Sequence, residues 1–132
     1  MKIAVKEVGK DLKIIEVQER YRDECVRKYT GEKEFAEYVR LNENGTLCMG
    51  VNEDGNCLGL PHNFLLDTKS PYFPVQKIVG TAVFVRHKYV DILKEEIWDF
   101  EIEDLESDDL KLIQKILDAK YQDELKGKLL LR

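Results

Sequence analysis

The stretch "FAEYVRLNENGTLCMGVNEDGNCLGL", residues 35–60, decides the fold of this chain. Two runs of β-forming residues flank "NENG", and its Asn44-Gly45 pair tolerates the positive φ angles of a hairpin turn. A second turn signal, Asp54-Gly55, follows in "NEDGN". The pattern predicts three consecutive strands in a meander, and therefore an antiparallel sheet.

Segments on both sides of this stretch extend the predicted sheet. "KIAVKEV" (2–8) and "LKIIEV" (12–17) alternate in polarity around the turn "GKD", which predicts a hairpin. "IVGTAVFVR" (78–86) is apolar on both faces, as expected for the central strand. Helical spacing over residues 19–29, stopped by Gly31, predicts a short amphipathic helix between the hairpin and the sheet core.

The strongest helical pattern lies at the end of the chain. Ser107 is its predicted N-cap and Gly127 its predicted end. One apolar stripe follows the helix and consists of Leu110, Ile113, Leu117, Tyr121 and Leu125, widened by Leu112 and Ile116. The order of elements predicts an α+β fold: an antiparallel sheet of about five strands with two helices packed on one face.

The length of 132 residues predicts a single domain over residues 1–132. Its expected parts are a hairpin plus helix (1–35), a sheet core (36–90), an acidic segment (91–106) and the C-terminal helix (107–126). No stretch has the apolar length of a membrane span, and the N-terminus lacks the pattern of a signal peptide. The expected location is therefore the cytoplasm, without membrane contact.

The acidic residues are concentrated in one segment. The whole chain carries a net charge of −5, which argues against direct nucleic-acid binding. Residues 91–109 hold ten acids against one lysine, a local charge of −9. The ordinary interpretation is a solvent-exposed acidic surface. The alternative is an acidic inhibitor of another protein, or a mimic of duplex phosphates.

Catalytic and metal-binding patterns are not evident. The sequence contains none of the motifs GxxxxGK[ST], GxGxxG or GxSxG, and the only histidines are His62 and His87. Cys48 and Cys57 lie in strand-like runs, where a small buried hydrophobe is the usual role, and no CxxC pair occurs. We therefore expect no catalytic residue, no metal and no cofactor, with a small nucleotide hydrolase as an alternative.

The basic residues of two segments form a cluster that can be interpreted in two ways. Its members are Arg20, Arg22, Arg27 and Lys28 on the first helix, and Arg86, His87 and Lys88 at the end of the central strand. Together they can hold a small anion. The more ordinary interpretation is a solvated helix face.

Two segments resemble the DUF3846 family, small uncharacterised proteins of bacteria, phages and mobile elements. They are "LCMGVNEDGNCLGLPHNFLL" (47–66) and "VQKIVGTAVFVR" (75–86), within a similarity that covers about residues 36–118. The motif residues are Gly59, Leu60 and Pro61 of the GLP-x-N turn and Gly80 and Thr81 of the I-x-GT strand. Phe64 departs from the family pattern, which often has a basic residue there. The "GLPHN" loop is interpreted first as an ordered connection and second as one wall of a pocket.

The resemblance implies a phage or mobile-element accessory protein without catalytic machinery. The expected function is counter-defence by sequestering a small, cyclic nucleotide immune signal, in the host cytoplasm if a phage encodes the protein. Candidate ligand-binding residues are His62, Asn63, Phe64, Arg86, His87 and Tyr121. The expected partners are this nucleotide or a host protein. A homodimer or higher homo-oligomer is expected through the segment around Trp98 and the tail "KLLLR".

Overall fold

The computed structural model describes residues 1–31, 36–69, 71–72, 74–88 and 100–130. Its strands, in chain order, are β1 (Lys2–Lys6), β2 (Lys13–Glu16), β3 (Ala36–Arg40), β4 (Leu47–Asn52), β5 (His62–Asp67), β6 (Val75–Val79), β7 (Ala82–His87) and β8 (Ile102–Glu103). Its helices are α1 (Arg22–Thr30), α2 (Ser107–Leu117) and α3 (Ala119–Leu130). The predicted α+β class is confirmed.

The main sheet contains six of the described strands, all paired antiparallel. Its order is β2-β1-β7-β4-β3, and β8 pairs with the end of β7. The predicted hairpin of β1 and β2 and the hairpin of β3 and β4 around "NENG" are both confirmed. The meander of three strands is wrong, because β5 leaves the main sheet and pairs with β6 in a separate two-stranded sheet.

The predicted central strand, residues 78–86, is divided at Gly80. Gly80 has a φ of 72°, so the chain turns between β6 and β7, and the two halves join different sheets. A Cβ at this position would lie 2.8 Å from Leu60 Cδ1. The Gly80 N–H donates to the Pro61 carbonyl at 2.8 Å. The loop at Pro61 and the turn at Gly80 therefore meet in one joint between the two sheets.

Apolar side chains fill both faces of the main sheet, and each face has its own cover. α1 buries Cys25 and Val26 against one face. The small sheet and α2 cover the other face, where Phe64 stacks on Phe84 with ring centroids 6.3 Å apart. α3 packs behind the small sheet through Leu125. Helices thus lie on both sides of the sheet, and the expected single helical face is wrong, because β4 and β7 are apolar on both faces.

The predicted C-terminal helix is two helices. Its N-cap is Glu106 and not Ser107, and the Glu106 N–H donates to Asp109 Oδ2 at 2.8 Å. Asp118 separates α2 from α3 and accepts a hydrogen bond from the Tyr121 N–H at 3.2 Å. Gly127 does not end the helix, which continues to Leu130. No helix in the described part of the chain is long and apolar enough to cross a membrane.

Candidate functional site

A cavity of about 410 Å³ lies at one end of the main sheet, on the face that α1 covers. We call it the cationic pocket. Its walls are Arg22 of α1, Tyr38 and Arg40 of β3, the turn residues 44–46, Cys48 of β4, His87 and Lys88 at the end of β7, and Phe100. The volume is within the range of small-molecule sites, about 300–1,000 Å³.

Strand register brings these walls together. Tyr38 and Arg40 are two residues apart in β3 and therefore share one face of the sheet. Arg40 pairs with Cys48, and the next strand places the His87 N–H against the Thr46 carbonyl at 2.9 Å. Antiparallel pairing thus aligns the polar ends of β3, β4 and β7 on the side of α1.

Close packing of α1 on β4 fixes the position of Arg22. A Cβ at Gly50 would lie 2.3 Å from Val26 Cγ1, so the missing side chain allows the helix to approach the strand. The Arg22 N–H donates to the Phe100 carbonyl at 2.8 Å. The first turn of α1 is therefore held directly above the pocket.

The Arg22 guanidinium lies against two aromatic rings. Its central carbon is 3.8 Å from the ring centroid of Tyr38 and 4.6 Å from that of Phe100. The His87 ring stacks on Phe100 as well, with centroids 4.7 Å apart. Tyr38 Oη donates to Asp23 Oδ1 at 2.8 Å, which orients the tyrosine ring. These contacts hold a cation in one geometry without neutralising its charge.

Among the described lining residues of the pocket, positive charge is in excess. None of the described lining residues is acidic. Among the described residues, no carboxylate forms an ion pair with Arg22 or Arg40, and the buried Nε of Arg22 has no hydrogen-bond partner. Lys88 differs, because its Nζ is 3.2 Å from Glu101 Oε2, and Glu101 also pairs with Arg20. Within the described part of the chain, Arg22 and Arg40 therefore supply the unmatched positive charge.

His87 lies beside Cys48 in this pocket. The distance from Cys48 Sγ to His87 Nδ1 is 3.8 Å, and Cys48 is buried. Burial, followed by the positive charges of Arg22, Arg40 and Arg86, lowers the pKa of His87 below its ordinary value of 6.5. His87 therefore takes up a proton only at a lower pH than an ordinary histidine does.

Arg86, another candidate residue, lies on the opposite face of the sheet. Its guanidinium contacts Glu103 at 3.2 Å, Glu106 at 3.1 Å and Asp109 at 3.0 Å. Asp109 is only 5% exposed. We call these four residues the Arg86 cluster. It ties β7 to β8 and α2, so Arg86 has its charge matched within the fold.

The remaining candidate residues lie away from the cationic pocket. Asn63 donates to the carbonyls of Lys6 and Gly80, both at 2.8 Å, and so locks the joint between the sheets. His62 is exposed at the start of β5, and Phe64 is buried in the core. Tyr121 lines a different, more apolar cavity of about 470 Å³ between β3, β5, α2 and α3. Of the six candidates, only His87 lines the cationic pocket.

A scan against models of protein families, a search of curated proteins and a search of solved structures each found no match for this chain. The resemblance to DUF3846 therefore stays a prediction. From the predicted basic cluster, the structure brings Arg22, His87 and Lys88 together. Arg27 pairs instead with Asp23 at 3.7 Å, and Lys28 pairs with Glu19 at 2.8 Å.

The acidic segment is only partly within the described residues. Trp98 and residues 91–97 and 99 lie outside them, so the predicted oligomer surface around Trp98 is not described. In the described part of the segment, Glu101, Glu103, Glu106 and Asp109 all form ion pairs inside the fold. Asp108 is solvent-exposed, with 93% of its side chain accessible. In the described part of the segment, most of the negative charge is therefore paired with basic groups of the same chain.

Other reactive groups in the described residues give weaker sites. No cluster of three or more possible ligands there could hold a metal ion. Burial raises the pKa of the Cys25 thiol to about 12, so this thiol is not a nucleophile at neutral pH. Cys57 is exposed. Leu130, in the described part of the tail, is 84% exposed.

Sequence reasoning missed three walls of the pocket: Tyr38, Arg40 and Phe100. The alternation of β3 and its position before the "NENG" turn could have placed Tyr38 and Arg40 on one face next to Cys48. No local signal could have placed Phe100, because its position depends on backbone pairing with residues 20–22.

Proposed function

We propose that this protein is a non-catalytic binding protein that holds a small phosphorylated ligand of the nucleotide class in the cationic pocket. One observation carries the proposal. Arg22 and Arg40 face a cavity of about 410 Å³, and no described carboxylate is paired with either of them. Arginine is suited to this task because its planar guanidinium donates bidentate hydrogen bonds to phosphate oxygens.

Preorganisation supports a ligand site at this position. A free arginine side chain loses much conformational entropy when it binds, and an arginine already held by its neighbours loses less. The rings of Tyr38 and Phe100 hold Arg22 in this way. The apolar groups around the guanidinium also strengthen its interaction with an anion, because they exclude water.

The biological role follows from the resemblance rather than from the pocket. If the chain is a phage or mobile-element accessory protein, sequestration of a small cyclic nucleotide signal is a role that needs capture and no turnover. Cyclic nucleotides are therefore the first ligands to test.

The test uses the purified full-length chain and a panel of cyclic and linear signalling nucleotides. The protein is incubated with each nucleotide, separated from free ligand, denatured by heat, and the released material is quantified by chromatography. We expect at least one nucleotide to return chemically intact in a stoichiometric amount. A ligand present at about 100 times its Kd should also stabilise the fold by about 2.7 kcal/mol. Recovery of no nucleotide from the panel, with no stabilisation, would contradict the proposal.

A second candidate function is hydrolysis of the same ligands. The 3.8 Å contact between Cys48 Sγ and His87 Nδ1 favours it, because a thiol beside an imidazole is the usual arrangement of a cysteine nucleophile. Return of cleaved nucleotide in the same assay would support this alternative. Cys48→Ala should then abolish cleavage, whereas Cys57→Ala, in the exposed loop, should not.

A further inference from the structure

The aromatic rings of the cationic pocket are already engaged by protein groups. Arg22 lies against both Tyr38 and Phe100, and His87 stacks on Phe100 at 4.7 Å. A nucleobase that stacked on these faces would have to displace a guanidinium or an imidazole. Base stacking, the usual means of holding a nucleobase without hydrogen-bond readout, is therefore obstructed at these faces.

Most of the side-chain polar groups of the turn are engaged as well. Asn44 Oδ1 accepts hydrogen bonds from the Thr46 N–H at 3.2 Å and from Thr46 Oγ1 at 2.8 Å. Asn42 Nδ2 donates to Thr46 Oγ1 at 2.9 Å, and Asn42 Oδ1 accepts from the Leu47 N–H at 3.1 Å. These amide and hydroxyl groups stabilise the turn, so they are poorly placed to read the edge of a base.

The cationic side chains of the pocket are therefore the groups that remain to recognise a ligand. Arg22 and Arg40 are unpaired among the described residues, and Lys88 shares its charge with Glu101. A single phosphate group carries a charge of about −1.5 to −2 at pH 7. One arginine guanidinium can donate hydrogen bonds to two phosphate oxygens at the same time. The two unpaired arginines match the charge of one phosphate, so Lys88, whose charge Glu101 matches only in part, is left for an oxygen of a second phosphate.

We propose that the cationic pocket recognises its ligand through two or more phosphate groups and leaves the base unread. This inference rests on the proposed function and narrows its ligand class. The shared chemistry is a small oligophosphate, whether it comes from a nucleotide or from an inorganic polyphosphate. Affinity then depends on phosphate number and is nearly independent of base identity.

The experiment is a set of calorimetric titrations of the full-length chain with ADP, CDP, adenosine and pyrophosphate. We expect ADP and CDP to bind within about threefold of each other, because the base makes no selective contact. Adenosine should not bind, and pyrophosphate should displace ADP. A difference of more than about tenfold between ADP and CDP, or failure of pyrophosphate to compete, would overturn the inference.

Variants assign the binding to this pocket. Arg22→Gln and the exposed Arg40→Gln should each weaken ADP and pyrophosphate by the same factor, at least about tenfold, which is about 1.4 kcal/mol. Arg27→Gln, on the same helix but paired with Asp23 and outside the pocket, is the matched control and should bind normally. Equal binding by Arg40→Gln and Arg27→Gln would overturn the assignment.

The two proposals fail in different ways. If nucleotides bind but pyrophosphate does not compete, the recognition mode is wrong and the binding function stands. If neither ADP, CDP, pyrophosphate nor any nucleotide of the signalling panel binds, both are wrong.

Discussion

The Arg86 cluster and the cationic pocket lie on opposite faces of the main sheet at the end of β7. Arg86 of the cluster and His87 of the pocket are adjacent in the sequence. Arg86 faces three carboxylates, and one of them, Asp109, is 5% exposed. Arg22 and Arg40 face none in the described part of the chain. The same residue type thus has its charge matched inside the fold on one face of the sheet, and on the other face it has no described carboxylate as a partner.

The largest effect, a loss of folding stability, should come from disrupting the Arg86 cluster. Arg86→Met leaves Asp109 buried without its partner, so we expect the free energy of unfolding to fall by about 3–5 kcal/mol. Chemical denaturation with urea measures this change. The double variant Arg86→Met/Asp109→Asn removes the stranded charge and keeps an acceptor for the Glu106 N–H, and it should recover part of the loss. A loss below about 1 kcal/mol in the single variant would show that the cluster is not structural.

The next effect tests whether the pocket can be converted into a matched cluster. Arg40→Glu introduces a carboxylate beside Arg22, so the pocket should lose phosphate binding by more than about tenfold, or about 1.4 kcal/mol. The free energy of unfolding should change by less than about 1 kcal/mol, because Arg40 is exposed. Titration calorimetry and urea denaturation measure the two quantities. Unchanged affinity would mean that Arg40 does not face the ligand.

A smaller change in ligand affinity, an increase, is expected when Glu101 is replaced. This carboxylate matches Lys88 at 3.2 Å and also pairs with Arg20. Glu101→Gln releases the charge of Lys88 towards the pocket, so oligophosphate affinity should rise roughly two- to threefold. The gain should shrink at high salt, because exposed charges are screened. Glu16→Gln, which removes an acid at the edge strand β2, is the control and should leave affinity unchanged.

The smallest effect concerns pH and His87. The pKa of His87 is below 6.5 in the folded protein, first because of burial and then because of Arg22, Arg40 and Arg86, while Glu103 opposes them. As pH falls below about 6.5, the unfolded chain binds this proton first, so this residue makes the ligand-free protein less stable at lower pH. A bound phosphate favours the imidazolium, so the contribution of His87 to ligand affinity should instead grow as pH falls from about 7.5 to 5.5.

His87→Gln separates this effect from titration of the ligand itself. The variant should retain only the pH dependence that the phosphate groups contribute, and the difference between the two proteins then belongs to His87. Identical pH profiles for both proteins would show that His87 does not sense the ligand.

The fold was accessible from sequence wherever local pattern decides structure. The hairpin of β1 and β2, the turn at Asn44-Gly45 and the end of α1 at Gly31 all follow from alternation and turn chemistry. The division at Gly80 was not accessible, because a glycine between two apolar runs is compatible with one strand or with two. Contact with Leu60 and pairing with different partners decide it.

The candidate site was accessible only in part, for a similar reason. Arg22, His87 and Lys88 belong to a basic cluster that can be recognised in the sequence, but Arg86 belongs to the same cluster. Side-chain alternation places Arg86 and His87 on different faces of the sheet. It does not show which of the two faces holds the carboxylates. Phe64 shows the converse, because an aromatic beside a polar loop suggested a ligand contact and the structure buries it against Phe84.

The sequence by itself determined the antiparallel, α+β character of this protein, because turn residues and apolar alternation act over a few neighbouring positions. Only the tertiary structure decided which charges are matched. Residues 22, 40, 87 and 100 come together because β3, β4 and β7 are neighbours in the sheet and α1 lies on their common face. Strand order is a property of long-range packing, and an ion pair exists only where packing brings its two partners within reach.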